Sequence, residues 1–153
     1  MGTSLVEERL KTLDVTKLAE YTQKIKDIGS LNKMMAPLYL RDFILAYDAT
    51  NNMLSYAIRC DLDAQTILDT SRSIAYLDRA GDYLKDKGIK DTSEARKQYV
   101  DIDPDVISSA NTKAKTQALV SFLKNKMQEF RLAHDDVKKI AYGDPYMSPD
   151  EGM

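Results

Sequence analysis

The sequence predicts an all-α fold, an elongated helical bundle in which short N-terminal helices precede two long ones. Apolar residues recur at three- and four-residue steps over long stretches of the 153-residue chain. The segment from Leu38 to Lys87 has no proline, and the segment from Val106 to Tyr142 has neither glycine nor proline. The sequence contains no strand-like alternation of useful length and no solenoid repeat. These observations together indicate helices throughout.

Two short helices are expected before the first long one. Ser4 and Glu7 have the spacing of a capping box, in which each side chain bonds the backbone amide of the other residue. Asp14 precedes an amphipathic run over 15–28, which stops at Gly29. Each of these signals predicts the start of a helix.

The first long helix is expected to begin at Pro37, which suits a first helical position, and to end at Gly88. It is either one helix or two helices stacked end to end. Asp61 and Asp63 fall where its apolar stripe changes frame. A bend or a change of packing partner is therefore predicted near 59–64.

Two acidic N-caps indicate the helices that follow. Asp91 with Glu94 predicts a short helix through Tyr99. Asp103 followed by Pro104 predicts the start of the last helix, because proline suits the first turn and aspartate the position before it.

The last helix carries an apolar seam with a seven-residue repeat. This helix would run to roughly 55–60 Å, whereas a compact domain of this size has a diameter on the order of 40 Å. The excess length predicts a homo-oligomer that uses this seam or the stripe of the first long helix, Leu40–Leu62. The predicted seam contacts are Leu123, Met127, Phe130 and Val137.

A single helical domain is predicted over residues 1–143, followed by a flexible acidic tail over 144–153. The tail contains Pro145, Pro149 and three acidic residues, and it offers no apolar face to pack.

Composition excludes several function classes. A net charge of -2 excludes a generally basic nucleic-acid coat. Cys60 is the single cysteine, and neither a signal-peptide run nor a membrane-spanning stretch is present, which predicts a cytoplasmic protein without a membrane partner. His134 is the single histidine, and nucleotide-binding and hydrolase motifs are missing from the sequence, so we expect no enzyme, no catalytic residues and no cofactor.

The remaining reactive side chains have structural interpretations. Cys60 is expected to be a buried, inert thiol, and His134 to pack on the seam. Several carboxylates are interpreted as caps and solvated turns, which predicts no metal site, because the glycine-centred spacing of a calcium loop is missing. These are Asp61, Asp63, Asp101, Asp103 and Asp105.

Basic and aromatic side chains alternate over residues 72–99. Such a pattern is typical of a groove for single-stranded nucleic acid, where cations attract phosphates and rings stack on unpaired bases. The alternative is a solvated bundle surface, and Tyr83 is either a stacking ring or a core ring. The candidate nucleic-acid contacts are Arg72, Arg79, Tyr83, Lys85, Lys87, Lys90, Arg96 and Lys97.

The C-terminal 70 residues resemble the recombination mediator proteins of T-even-like bacteriophages, the UvsY type. A basic helix with Arg79 and the Asp82-Tyr83 pair closes on Gly88, and the long helix opens with Asp-Pro-Asp-Val at 103–106 and ends with Asp-Val-Lys-Lys-Ile at 136–140. The family has a Tyr-Tyr-x-Gly turn, where this chain has Leu84 at the second tyrosine position.

The resemblance implies an all-helical protein that assembles into a ring-like oligomer in the cytoplasm of an infected bacterial host. It implies binding of single-stranded DNA, and partnership with a RecA-like recombinase and a single-strand-binding protein that the recombinase displaces. The alternative is an oligomeric helical component of a virion, such as a small terminase-like subunit or a neck protein, without catalytic activity.

Overall fold

A computed structural model describes residues 2–143 and confirms the all-α fold. The π-helical segment joins α3 to α4 without a break, so that a 51-residue helix runs from Ala36 to Asp86. The predicted tail, 144–153, lies outside the described residues. The helices are α1 (Gly2–Lys11), α2 (Lys17–Lys26), α3 (Ala36–Ile74), α4 (Ala80–Asp86), α5 (Ser93–Ile102) and α6 (Pro104–Tyr142), with a 3-10 turn at Ile28–Ser30 and the π-helical segment at Ala75–Arg79.

The chain divides into two compact units, and both long helices contribute to each. Unit 1 takes in the chain as far as Thr12 and from Tyr56 to Val120. Unit 2 takes in the chain from Leu13 to Ser55 and from Ser121 onward.

The core of unit 2 contains the seam predicted on the last helix. Leu123, Phe130 and Val137 are all fully buried within the single chain, and Phe43 of α3 is buried with them. The ring of Tyr21 meets the ring of Phe130 edge-on, with 6.2 Å between centroids. The repeat therefore predicted a helix–helix seam correctly, but its residues pack inside one chain.

This burial corrects the predicted oligomer interface. Leu123, Phe130 and Val137 have no surface left for a second copy, and Met127 is half-buried. The repeat could not reveal this, because a seven-residue spacing specifies a packed face without specifying the chain that supplies the partner.

Unit 1 has two apolar clusters. In the first, Val6 of α1 packs with Cys60 and Ala64 of α3. The second joins Leu68 and Ala75 to residues of α5 and α6. Cys60 is 1% exposed, which confirms the prediction of a buried cysteine, and burial raises the pKa of its thiol.

Polar contacts join α1, α3 and α6 around these clusters. Glu7 of α1 accepts hydrogen bonds from Thr112 and Lys115, both at 3.2 Å. Asp61 of α3 accepts from Thr116 at 2.6 Å and pairs with Lys113 at 2.9 Å. The predicted capping box is therefore wrong, because α1 already begins at Gly2 and Glu7 bonds to α6 instead.

Other predicted boundaries have mixed outcomes. Gly88 ends α4 as predicted, with a positive φ of 67° that a side chain would strain. The cap of α5 is Thr92, whose hydroxyl accepts from the amide of Ala95 at 3.1 Å, so the prediction of Asp91 is wrong by one residue. Helical hydrogen bonding is regular over 59–64, and the departure from α geometry lies at 75–79.

Among residues 2–143, none of the helices combines the length and the apolar character needed to cross a bilayer.

We expect Phe130→Ala to lower the free energy of unfolding by about 3–5 kcal/mol, because a fully buried ring is replaced by a cavity. Phe122→Ala is the matched control, since that ring lies on the same helix but is 40% exposed, and it should cost about 1 kcal/mol. Urea denaturation of both variants measures the difference. Equal losses would contradict the assignment of Phe130 to the core.

Candidate nucleic-acid interface

A buried carboxylate organises the region that the sequence marked as basic and aromatic. Asp103 is fully buried, and its two oxygens accept from Arg79 Nε at 2.7 Å and Arg79 Nη2 at 2.8 Å. The hydroxyl of Tyr99 donates to the same carboxylate at 2.7 Å. The amides of Asp105 and Val106 donate at 3.0 Å and 3.2 Å, which confirms Asp103 as the N-cap of α6.

These contacts favour the charged forms of both Asp103 and Arg79. Hydrogen bonds from Arg79 outweigh the desolvation of the carboxyl and lower the pKa of Asp103 to about 2. The same hydrogen bonds raise the pKa of the Arg79 guanidinium. Arg79 also lies 3.5 Å from Asp105. Arg79 was predicted as a nucleic-acid contact, but the buried carboxylate takes up the donors Nε and Nη2.

Arg96 also forms hydrogen bonds within unit 1. Its guanidinium donates to both oxygens of Asp91 at 2.7 Å and to the carbonyl of Tyr76 at 2.7 Å. That carbonyl belongs to the π-helical segment, whose wider turn changes the usual pairing of backbone groups. Gly81 leaves room for the approach, since a Cβ there would lie 3.1 Å from Arg96 Nη2. Arg96 thus fastens α5 to the long helix.

Tyr83 packs against another ring. The centroids of Tyr83 and Tyr99 are 4.8 Å apart with planes tilted by 35°, and the ammonium of Lys87 lies 5.9 Å from the Tyr83 centroid. Tyr83 is half-buried. This geometry favours the packed ring over the freely stacking ring.

The other five candidate residues are exposed, and two of them share a cleft. Arg72 of α3 and Lys97 of α5 both line an open cleft of about 550 Å³. Among residues 2–143 neither makes a salt bridge. Lys85, Lys87 and Lys90 are exposed but do not line this cleft. The cleft is lined by Arg72, Ser73, Tyr76, Leu77, Lys97, Val100 and Asp101.

The lining combines cationic, aromatic and apolar side chains. Two cations stand on opposite walls, with Asp101 as the one acid of the lining. Tyr76 is oriented by its hydroxyl, which donates to Ser93 at 3.1 Å, and by the Arg96 guanidinium 5.8 Å from its ring centroid. Leu77 is 68% exposed beside it and adds apolar surface.

The predicted contacts did not include five of the lining residues, Ser73, Tyr76, Leu77, Val100 and Asp101. A signal was present for part of the set, because Arg72 with Tyr76 and Ser73 with Leu77 are four residues apart on one helix. The assignment of these two pairs to the wall facing α5 depends on tertiary contacts.

The remaining candidate groups have structural partners. Asp63 pairs with Arg9 at 2.8 Å and Asp61 pairs with Lys113 of α6 at 2.9 Å. Both carboxylates lie within α3, so their interpretation as caps or solvated turns is wrong. His134 is half-buried, with its Nδ1 3.5 Å from Asp135. Within 2–143, no three His, Cys, Asp or Glu side chains are grouped so as to hold a metal ion.

No family model matches the sequence, and no curated protein or solved structure matches it either.

We expect Asp103→Asn to lower the free energy of unfolding by about 2–4 kcal/mol, because it removes the charge that holds Arg79 and caps α6. Asp105→Asn is the matched control, since Asp105 also contacts Arg79 but its side chain is 74% exposed. It should cost under about 1 kcal/mol. Thermal and urea denaturation at pH 7 compare the two variants, and equal losses would contradict the organising role of Asp103.

Acid should narrow the difference in free energy of unfolding between wild type and Asp103→Asn. The pKa of Asp103 is about 2 in the folded chain, against an ordinary value of 3.8, so its charge stabilises the fold above pH 4. As the pH falls from 4 to 2, up to about 2 kcal/mol of that stabilisation is lost. Denaturation of both proteins at pH 7, 4 and 2 measures this loss. A free-energy difference between them that stays constant with pH would show that the pKa of Asp103 is not lowered.

Proposed function

We propose that the protein binds single-stranded DNA in the cleft between α3 and α5 and acts as a phage-type recombination mediator. The observation that supports this proposal is the placement of Arg72, Tyr76 and Lys97 around one open cleft. Nothing in the proposal requires a catalytic group or a cofactor. The protein works in the cytoplasm of an infected bacterial host.

The cleft suits a single strand better than a duplex. Cations on two walls attract phosphates of a flexible backbone, and a ring can stack only on a base that is not already stacked in a helix. The volume of about 550 Å³ is in the range of small-ligand sites, so the cleft takes one nucleotide at a time. The exposed side chains of Lys85, Lys87 and Lys90 offer further phosphate contacts to the strand outside the cleft.

The mediator role rests on the resemblance of the C-terminal segment. In this role the protein holds the strand while a RecA-like recombinase displaces the single-strand-binding protein. It acts as a homo-oligomer, which brings several clefts to one strand and raises its affinity through effective concentration.

A virion component is the second candidate, and the exposed apolar side chains favour it. Leu62 is 63% exposed and Met34 is 87% exposed. Such surfaces are typical of chains that assemble. This alternative requires assembly without affinity for single strands, so a binding measurement separates the two functions.

We expect Arg72→Gln and Lys97→Gln each to weaken binding of a fluorescent oligothymidylate and to flatten its salt dependence. Each lost phosphate contact should reduce the slope of log affinity against log salt by about 0.7. Arg59→Gln is the matched control, since Arg59 is an exposed arginine of the same helix outside the cleft. Fluorescence anisotropy at four salt concentrations gives the slopes. An unchanged slope in both cleft variants would reject this path for the strand.

We expect Tyr76→Leu to lower the affinity by a similar factor at every salt concentration, because a stacked base contributes about 1–3 kcal/mol without counterion release. Tyr76→Phe keeps the ring and loses only the bond to Ser93, so its affinity should stay near wild type. Melting temperatures identify any general loss of structure. If Tyr76→Leu binds as tightly as wild type, the ring does not stack on a base.

A further inference from the structure

Among residues 2–143, the outward face of α6 near its C-terminal end is exposed and partly apolar. Ala133 and Val137 point into unit 2 and are buried, whereas Leu132 is 51% exposed and Tyr142 is 73% exposed. These two apolar residues lie ten positions apart on the side opposite Val137. Only residues of α6 and Gly143 line the hollow of about 560 Å³ between them, and at the edge of this face Lys138 and Tyr142 also line a second hollow that they share with α3.

The charges on this face are ordered so that the face of one copy is complementary to the same face of a second copy placed antiparallel to it. Two acids, Asp135 and Asp136, are followed by two bases, Lys138 and Lys139. All four are exposed. Within 2–143 the only ionic contact any of them makes is that of Asp135 with His134, at 3.5 Å. Both signs of charge are thus available to an external partner.

We propose that this face pairs with the same face of a second copy, as two antiparallel α6 segments related by a two-fold axis. An arrangement that sets Leu132 opposite Tyr142 of the second copy also sets Asp135 opposite Lys139, because both pairs are centred on Val137. The acid pair then faces the base pair of the other copy. Leu132 and Tyr142 then cover each other at both ends of the contact, and the opposite charges pair in the middle.

The direction of pairing follows from the charges. A parallel arrangement would place acids against acids and bases against bases, which costs association energy. The inference concerns unit 2 alone, so it stands or falls independently of the strand-binding cleft in unit 1.

Charge reversal tests the proposed pairing. Asp135→Lys sets like charges opposite each other at both symmetric positions and should weaken self-association by roughly tenfold or more, and Lys139→Asp should do the same. The double variant Asp135→Lys/Lys139→Asp restores opposite charges across the axis and should recover association. Lys124→Asp, an exposed reversal on the same helix outside the face, is the control. Sedimentation velocity over a range of concentrations gives the dissociation constants, and circular dichroism checks folding.

Cross-linking gives a second, independent readout. A mixture of Leu132→Cys and Tyr142→Cys chains should cross-link with a short bismaleimide, because the two positions meet across the axis. Each variant alone should not, since the same residue in two antiparallel copies lies about 15 Å apart along the helix. The native Cys60 is 1% exposed and does not interfere.

Three results would overturn the proposal. A wild-type chain that stays monomeric at tens of micromolar shows that this face has no second copy on it. Self-association that the double reversal fails to recover shows that the charges do not pair across an axis. Efficient cross-linking of Leu132→Cys with itself shows parallel packing or another interface.

Discussion

The arrangement of unit 1 depends on one buried carboxylate. Asp103 caps α6 and binds the guanidinium of Arg79 at the end of the π-helical segment. It also accepts a hydrogen bond from the hydroxyl of Tyr99, a residue of α5. A buried charge is tolerated only when its hydrogen-bonding capacity is filled, so each of these elements must be in place together. Arg96 adds a second hydrogen-bonded contact between α5 and the long helix. The cleft between Arg72 and Lys97 exists because these two contacts fix α5 beside α3.

Local signals in the sequence were sufficient for the helices but not for their partners. Asp103 followed by Pro104 predicted the start of α6, and Gly88 predicted the end of α4, because both depend on residues next to each other in the chain. The seam of Leu123 and Phe130 was predicted as a packed face. Its partner proved to be the same chain, which no spacing within one helix reveals.

The candidate site was predicted in part, and the π-helical segment is one reason. A π turn contains one more residue than an α turn, so positions after Ala75–Arg79 are rotated relative to an extrapolated helix. Arg79 was predicted as a nucleic-acid contact, yet it reaches a carboxylate 24 residues away in sequence. The choice of Arg79 over Lys85 or Lys87 as partner of Asp103 is decided by tertiary packing. Arg72 and Lys97, which were predicted as nucleic-acid contacts, are exposed, and among residues 2–143 neither makes a salt bridge.

Photo-cross-linking to a 4-thiothymidine-substituted oligothymidylate, followed by peptide mapping, tests the central claim most directly, because it identifies the residues that touch the strand. The cleft predicts cross-links on the peptide that contains Tyr76 and on the α5 peptide that begins near Lys97. Excess unlabelled oligothymidylate should compete both of them away. Cross-links confined to α6 or to unit 2, or no cross-link at low salt, would contradict the assignment of the cleft as the path of the strand.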